Sequence, residues 1–353
     1  MVPKPINLPK QLIFPSAIST AGNAQGSILI IALWSLCLLA TFAVILGHEV
    51  RQKITLVQRL DERDRLHFIN EAGVKKAIVE LKAGEQKNYD SLSDRWSNNA
   101  GAFREIDIGD GRVNICYNYD EISGGPVIRY GLVDEESKIN INKVEPAVLE
   151  RLFRIVLSWG EAEAGDLAAS IIDWRDKDSE LSAPFGGAED QYYRNLDYPY
   201  EAKDAEFESL DELLLVKGIT EDIFKNIKGY ITIYGNGSVN INTAPKVVLL
   251  ALGLSEGLGD KIISFRYGRD DTINTPDDNF FDAPYGIVQK LAEFLALNDA
   301  EVAQLTAASE KYFSVNSSNF MVRSLGNLNN RKNIAEVVCV IDRNGQTLSW
   351  REY

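Results

Sequence analysis

The sequence predicts an α+β protein. A long N-terminal helix, first of transmembrane and then of amphipathic character, lies on an antiparallel sheet, and a large duplicated all-α domain is inserted between the strands. Three observations predict this. Ser27–Leu46 is one apolar run without a charge, and at roughly 1.5 Å per helical residue it is about long enough to cross a bilayer core. The charged stretch that follows keeps helical periodicity to Ala83. Residues 138–310 repeat themselves, between strand-rich segments at Phe103–Val133 and Lys311–Tyr353.

The first element is read from its edges. Residues 1–26 form a leader bearing only Lys4 and Lys10 and ending in Asn23-Ala24-Gln25-Gly26. A secretory signal peptide would have a shorter apolar core, roughly 7–15 residues, and then a small-x-small cleavage site. Gly47-His48-Glu49-Val50 fits that poorly. A plain signal anchor needs only the apolar run at 27–47. A third reading cuts the chain after Gly26, which leaves Ser27 as the amino terminus and keeps the helix.

That last layout resembles type IV pilins and type II secretion pseudopilins. The resemblance implies that a prepilin peptidase cuts at Gly26–Ser27 and methylates the new amine. Most such proteins carry Glu as the fifth residue after the cut; here it is Ile31. Among pseudopilins this absence is a habit of the K-type minor subunit. A subunit with no neighbour above it has no amine to neutralise, and an unpaired buried carboxylate would be costly. Ser27 also departs from the usual aromatic, and the leader is long.

From Arg51 to Ala83 the chain continues as a helix. It has no Pro, Gly73 is its only glycine, and Ile54, Val57, Leu60, Phe68, Ala72 and Ile78 recur mostly at helical spacing. Glu71 and Lys75 stand at i,i+4. Gly84 and the polar stretch to Asn99 end it. Residues 48–137 are therefore read as this helical spine plus the first strands.

Composition narrows the function. The net charge is −14, which disfavours binding to phosphate backbones through bulk charge. Lys4 and Lys10 before the apolar run and an acidic bulk after it fit an inside amino terminus and an exported body. His48 and His67 are the only histidines, which leaves little scope for a zinc site or a Ser-His-Asp triad; no enzyme is expected. Cys37 sits in the apolar run. Cys116 and Cys339 lie in strand-like runs, Arg112–Tyr119 and Ile334–Ile341, and can either pair in an oxidising compartment or stay buried thiols.

The inserted region reads as two copies, 138–235 and 238–310. Ile139-Asn140-Ile141-Asn142 followed by Pro146-Ala-Val-Leu149 returns as Val239-Asn240-Ile241-Asn242 followed by Pro245-Lys-Val-Val-Leu249. In each, a short alternating strand precedes a Pro in the first turn of an apolar helix. Ile171-Ile-Asp-Trp-Arg175 is echoed by Ile262-Ile-Ser-Phe-Arg266. After each echo come an acidic loop and a helix pair: Ser209–Val216 with Thr220–Ile231, then Ile287–Leu297 with Asp299–Ser309. The first pair looks like a helix-hairpin-helix turn, a motif that can hold DNA phosphates. Glu212, Glu221 and Asp222 crowd it, opposed only by Lys217 and Lys225, so a structural turn is the stronger reading.

The order of these features, with Gly187-Ala-Glu-Asp190-Gln-Tyr-Tyr193 and a final Trp/Tyr-containing strand, resembles the type II secretion minor pseudopilin K family from Gly26 to Tyr353. The resemblance implies a pilin-like helix-and-sheet module, closed by the C-terminal strands of 311–353, with a helical domain inserted between strands.

Two loops concentrate hard oxygen ligands. The first contains Asp173, Asp176, Asp178, Glu189 and Asp190; the second contains Asp270, Asp271, Asp277 and Asp278. Carboxylates converging from a loop suit calcium, which takes 6–8 oxygens at about 2.3–2.6 Å, and no His or Cys nearby suggests a transition metal. Solvated acidic loops are the plain alternative. The resembling family binds calcium in its helical domain, so a structural Ca2+ is expected.

The resemblance further implies a minor pseudopilin at the tip of a periplasmic pseudopilus, single-pass in the inner membrane. Its partners would be the I- and J-type minor pseudopilins, and its role would be to start assembly or limit fibre length. The alternative from another class is a membrane-anchored helix-hairpin-helix DNA-binding protein of an uptake system.

Overall fold

The computed structural model describes residues 24–84, 87–121, 125–183, 186–329 and 333–353. Lys4, Lys10 and the leader to Asn23 lie outside them. The chain divides into two units, residues 1–63 and 64–353.

Helix α1 runs unbroken over Ala24–Lys82, 59 residues. Nothing in its sequence stops it: no Pro occurs, and Gly84 follows directly at its end. The expected cut at Gly26–Ser27 falls in its first turn. From Ile28 to Leu46 its large apolar side chains are exposed, and this is the one helix among the described residues long and apolar enough to cross a membrane. In the second unit its character changes. Ile69, Asn70, Gly73, Val74, Ala77 and Leu81 form a buried face, at spacings of three and four. Gly73 brings the backbone close to the sheet: a Cβ there would stand 2.8 Å from Val113 Cγ2 and 2.9 Å from Ser324 Oγ. Asn70 bridges the same contact, accepting from Ser324 Oγ at 2.7 Å and donating to the Ala335 carbonyl at 3.2 Å.

After α1 come α2 (Ala100–Phe103), β1 (Ile106–Ile108), β2 (Gly111–Ile115), β3 (Tyr117–Glu121), β4 (Gly125–Arg129) and β5 (Val133–Asp134). The run expected as one strand, Arg112–Tyr119, is two. β2 ends at Ile115, and β3 leaves to form its own hairpin with β4. The break has a local cause: Gly131 N–H takes the Ile115 carbonyl at 3.0 Å. The returning chain then occupies the place an extended β2 would have used.

The inserted region follows with β6 (Ile139–Asn140), α3 (Pro146–Leu157), α4 (Glu161–Arg175), α5 (Asp190–Tyr193), α6 (Glu221–Ile227), β7 (Ile231–Thr232), β8 (Val239–Asn240), α7 (Lys246–Ala251), α8 (Glu256–Tyr267), α9 (Ile287–Phe294), α10 (Asp299–Lys311) and β9 (Phe313–Ser314). It is mainly helical but not all-α, because β6 pairs with β7 and β8 with β9, both parallel. Ser209–Val216 is a 3₁₀ helix, Leu210–Leu215, with a Ser209–Glu212 capping box, and α6 stops at Ile227, ahead of β7.

The repeat holds at the level of single hydrogen bonds. Asn140 and its counterpart Asn240 each accept, through Oδ1, the amide two residues on, at 2.9 and 3.0 Å. Asn142 clasps the Phe207 backbone at both its N–H and carbonyl, and Asn242 does the same to Phe281. Arg175 donates to the Val144 carbonyl, Arg266 to the Ala244 carbonyl. The prolines do not superpose: Pro146 opens α3, whereas Pro245 is the N-cap of α7.

The chain re-enters the sheet with β10 (Asn319–Leu328), β11 (Ile334–Asp342) and β12 (Thr347–Glu352). The antiparallel order is β1-β2-β10-β11-β12, with β5 also on β10. β2 and its neighbour β10 thus flank the whole inserted region in sequence. Cys116 and Cys339 are buried free thiols. Cys116 follows β2 and Cys339 lies in β11, with β10 between them. Two inter-strand spacings amount to about 9–10 Å, beyond disulfide reach. Two cores result. One is formed by α1's buried face, the sheet, Trp96 and Phe103; the other fills the helical region from Ile139 to Val315.

Candidate metal site and assembly helix

The first acidic loop begins where α4 ends, and its shape is imposed from beneath by Asp173. That carboxylate is fully buried and accepts the Ser182 amide at 2.9 Å and the Ala188 amide at 2.8 Å. Gly187, at φ +79°, lies so close that a Cβ would collide with Asp173 Oδ2. Asp190 is engaged as well, with Ala202 N–H at 2.9 Å and Arg194 at 2.7 Å. These two carboxylates hold the loop rather than converge on a common point.

Asp176, Asp178 and Glu189 do converge: one carboxylate oxygen from each lies within 4.8 Å of the others. Asp176 Oδ1 and Glu189 Oε1 are buried without a hydrogen-bond partner. Burial, then the charges of Asp173, Asp176, Asp204 and Asp178, push the Glu189 carboxyl up to about 7. Asp176 is raised by burial and then by Asp178 and Asp173. Concentrated negative charge with unsatisfied oxygens suits a hard cation, and these residues fit calcium.

Asp204 was not singled out from the sequence. It lies outside the loop, at φ 51°, and its amide bonds to the Trp174 carbonyl at 3.1 Å, which brings its charge to bear on both Asp176 and Glu189. The only sequence signal was an acidic residue in a segment with no element of its own.

The second loop uses its carboxylates differently. Asp277 accepts the Arg269 amide at 2.7 Å and the Thr275 hydroxyl at 2.8 Å, and these bonds hold its carboxyl below the usual range. Asp270 accepts the Thr272 amide, Asp278 the Asn274 amide and the Ser93 hydroxyl. Asp271 is a turn residue at φ 53°. Among the described residues these four do not form a converging ligand set. The loop instead docks on the segment leaving α1, where Phe280 stacks on Tyr89 at 3.9 Å.

Ile31 lies on α1, 62% exposed, in an apolar surface without a charge. At the hairpin-like turn Lys217 is already committed. Its ammonium donates to the Gly187 carbonyl at 2.7 Å and stands 5.1 Å from the Tyr192 ring centroid. That leaves the turn acidic and gives the DNA reading no support.

Residues 123–236 match the family model for type II secretion system (T2SS), protein K. Over this segment the chain is similar to the type II secretion system protein K family. The chain is 31% identical over 204 residues to type II secretion system protein K of Aeromonas hydrophila, covering 54% of this chain and 58% of that protein. The namesake of Pectobacterium carotovorum subsp. carotovorum is 25% identical over 228 residues, covering 62% and 66%. The matches thus span under two thirds of these protein K relatives. A solved chain from the GspK-GspI-GspJ complex of the enterotoxigenic Escherichia coli type 2 secretion system shares the fold, with TM-score 0.59 and 17% identity over 86% of this chain and 99% of that one. The mixed helices and antiparallel sheet are therefore a fold that this chain shares with a chain of that complex.

Proposed function

We propose that the protein is a minor pseudopilin of a type II secretion system, anchored in the inner membrane by α1 with its body in the periplasm. It starts the pseudopilus or limits its length from the tip, and its partners are the I- and J-type minor pseudopilins. One observation carries the reading: a single helix is uncharged and exposed over Ile28–Leu46 and packs a buried face on the sheet over Ile69–Leu81. The E. coli GspK-GspI-GspJ complex supplies the candidate assembly. The helical region would not fit within a narrow shaft, which supports the tip. Mass spectrometry of the cellular protein tests the processing: an N-methylated Ser27 is expected, and a chain beginning at Met1 or after Gly47 rejects it. Co-purification of the full chain with I- and J-type subunits tests the assembly.

Asp176, Asp178 and Glu189 are proposed to hold a structural Ca2+. It would neutralise three crowded carboxylates and stiffen the loop around Gly187. A ligand at 100 times its Kd stabilises by about 2.7 kcal/mol. Chelation with EDTA should therefore lower the melting temperature by several degrees, and identical melting curves would reject the site.

A further inference from the structure

Three buried carboxylates meet where the chain passes between the sheet and the helical region. β5 supplies Asp134 and the 3₁₀ turn Glu135–Ser137 supplies Glu136 on the way out; the loop after α1 adds Asp90. The return crossing, Ser317-Ser318-Asn319, runs past all three into β10. Asp90 accepts the Ser317 amide at 2.8 Å, and Asp134 accepts the Ser317 hydroxyl at 2.7 Å. Glu136 accepts the Ser318 and Asn319 amides, both at 3.1 Å, and the Asn319 side chain at 2.8 Å. Asp134 also reaches into the helical region, to the Asn240 side chain at 3.1 Å and the Thr243 hydroxyl.

The charge at this crossing is one-sided. Arg343 contacts Asp90 at 2.6 Å. Lys138 is taken by Glu135 and Lys87 by Asp94, whose own charge also acts on Asp90. Burial, with Glu136 next, pushes Asp134 up to about 8, and burial raises Asp90 and Glu136 too. With one cation in contact among the described residues, these three carboxylates cannot all be ionised without cost.

We propose that Asp90, Asp134 and Glu136 form a proton-sensitive joint. A proton held among them keeps the helical region tightly on the sheet, and ionisation of all three loosens the return crossing. A protonated Asp134 can keep its partners, because one serine or threonine hydroxyl turns from donor to acceptor. The sign follows from linkage: a carboxyl raised in the folded state contributes stability that is full below its unfolded value and lost as pH climbs through its folded one. The hold should therefore weaken towards alkaline pH.

Hydrogen exchange on the full chain in detergent tests this at roughly pH 6 and roughly pH 9, each normalised to unfolded-peptide rates at that pH. The amides of Ser317, Ser318 and Asn319 should lose about ten-fold more protection than those of Ile69–Leu81, one pH unit's worth of proton affinity. Asp134→Asn, which stays neutral, should flatten the difference, and Glu136→Gln should reduce it. Equal normalised protection of the wild type at both pH values overturns the joint. So does an Asp134→Asn chain that shows the undiminished loss.

Discussion

Asn242 illustrates how much one side chain can hold. It is buried, and it clasps both the amide and the carbonyl of Phe281. Removing it strands two buried backbone groups, each costing about 1–3 kcal/mol. Asn242→Ala should therefore destabilise the protein by about 2–6 kcal/mol in urea unfolding. Asn142→Ala should cost less, because Asn142 itself is only half-buried. At the proposed metal site Glu189→Gln removes one of three converging carboxylates. Its melting curve should respond to EDTA far less than the wild type's, and an unaltered response would place the cation elsewhere. The Asn-x-Asn spacing was legible in the sequence as a repeat. The division of labour among carboxylates was not: Asp173 and Asp190 look like ligands by residue type, yet Asp173 spends its oxygens on backbone amides and Asp190 on an amide and Arg194.

Among the elements, α1 was the most legible, because apolar length and helical period are local properties. Its contact with the sheet adds something the period does not state. Gly73→Ala would normally gain up to ~1 kcal/mol of helix propensity. Here the new Cβ meets Val113 and Ser324 at under 3 Å, and overpacking costs about 1–3 kcal/mol. Gly73→Ala should thus lower the melting temperature, and Gly73→Leu should lower it further; a stabilised Gly73→Ala would contradict the packing. Strand ends were less legible. The break at Cys116 depends on Gly131 and β5 returning to the same edge, which no window around Cys116 contains.

For the whole molecule, the proposed tip position bears on the exposed apolar half of α1. An acidic residue at position 31 would have no amine above it in the proposed tip position, and a carboxylate on this apolar surface would be costly. Ile31→Glu is expected to reduce pseudopilus initiation in cells, while leaving the thermal unfolding of the second unit unchanged. Wild-type initiation by the variant would argue against a tip position. Loss of folding would argue that Ile31 acts within the chain instead.

By itself the sequence determined the apolar helix and its continuation, the doubling of the inserted region and the separation of its flanking strands, since each is written in neighbouring residues or in a repeat. Only the tertiary structure decided which carboxylates converge, that β10 lies between the two body cysteines, and that three acids meet at the crossing. Those depend on segments as distant as Asp90, Asp134 and Ser317 being brought within hydrogen-bond reach, and no local periodicity records that distance.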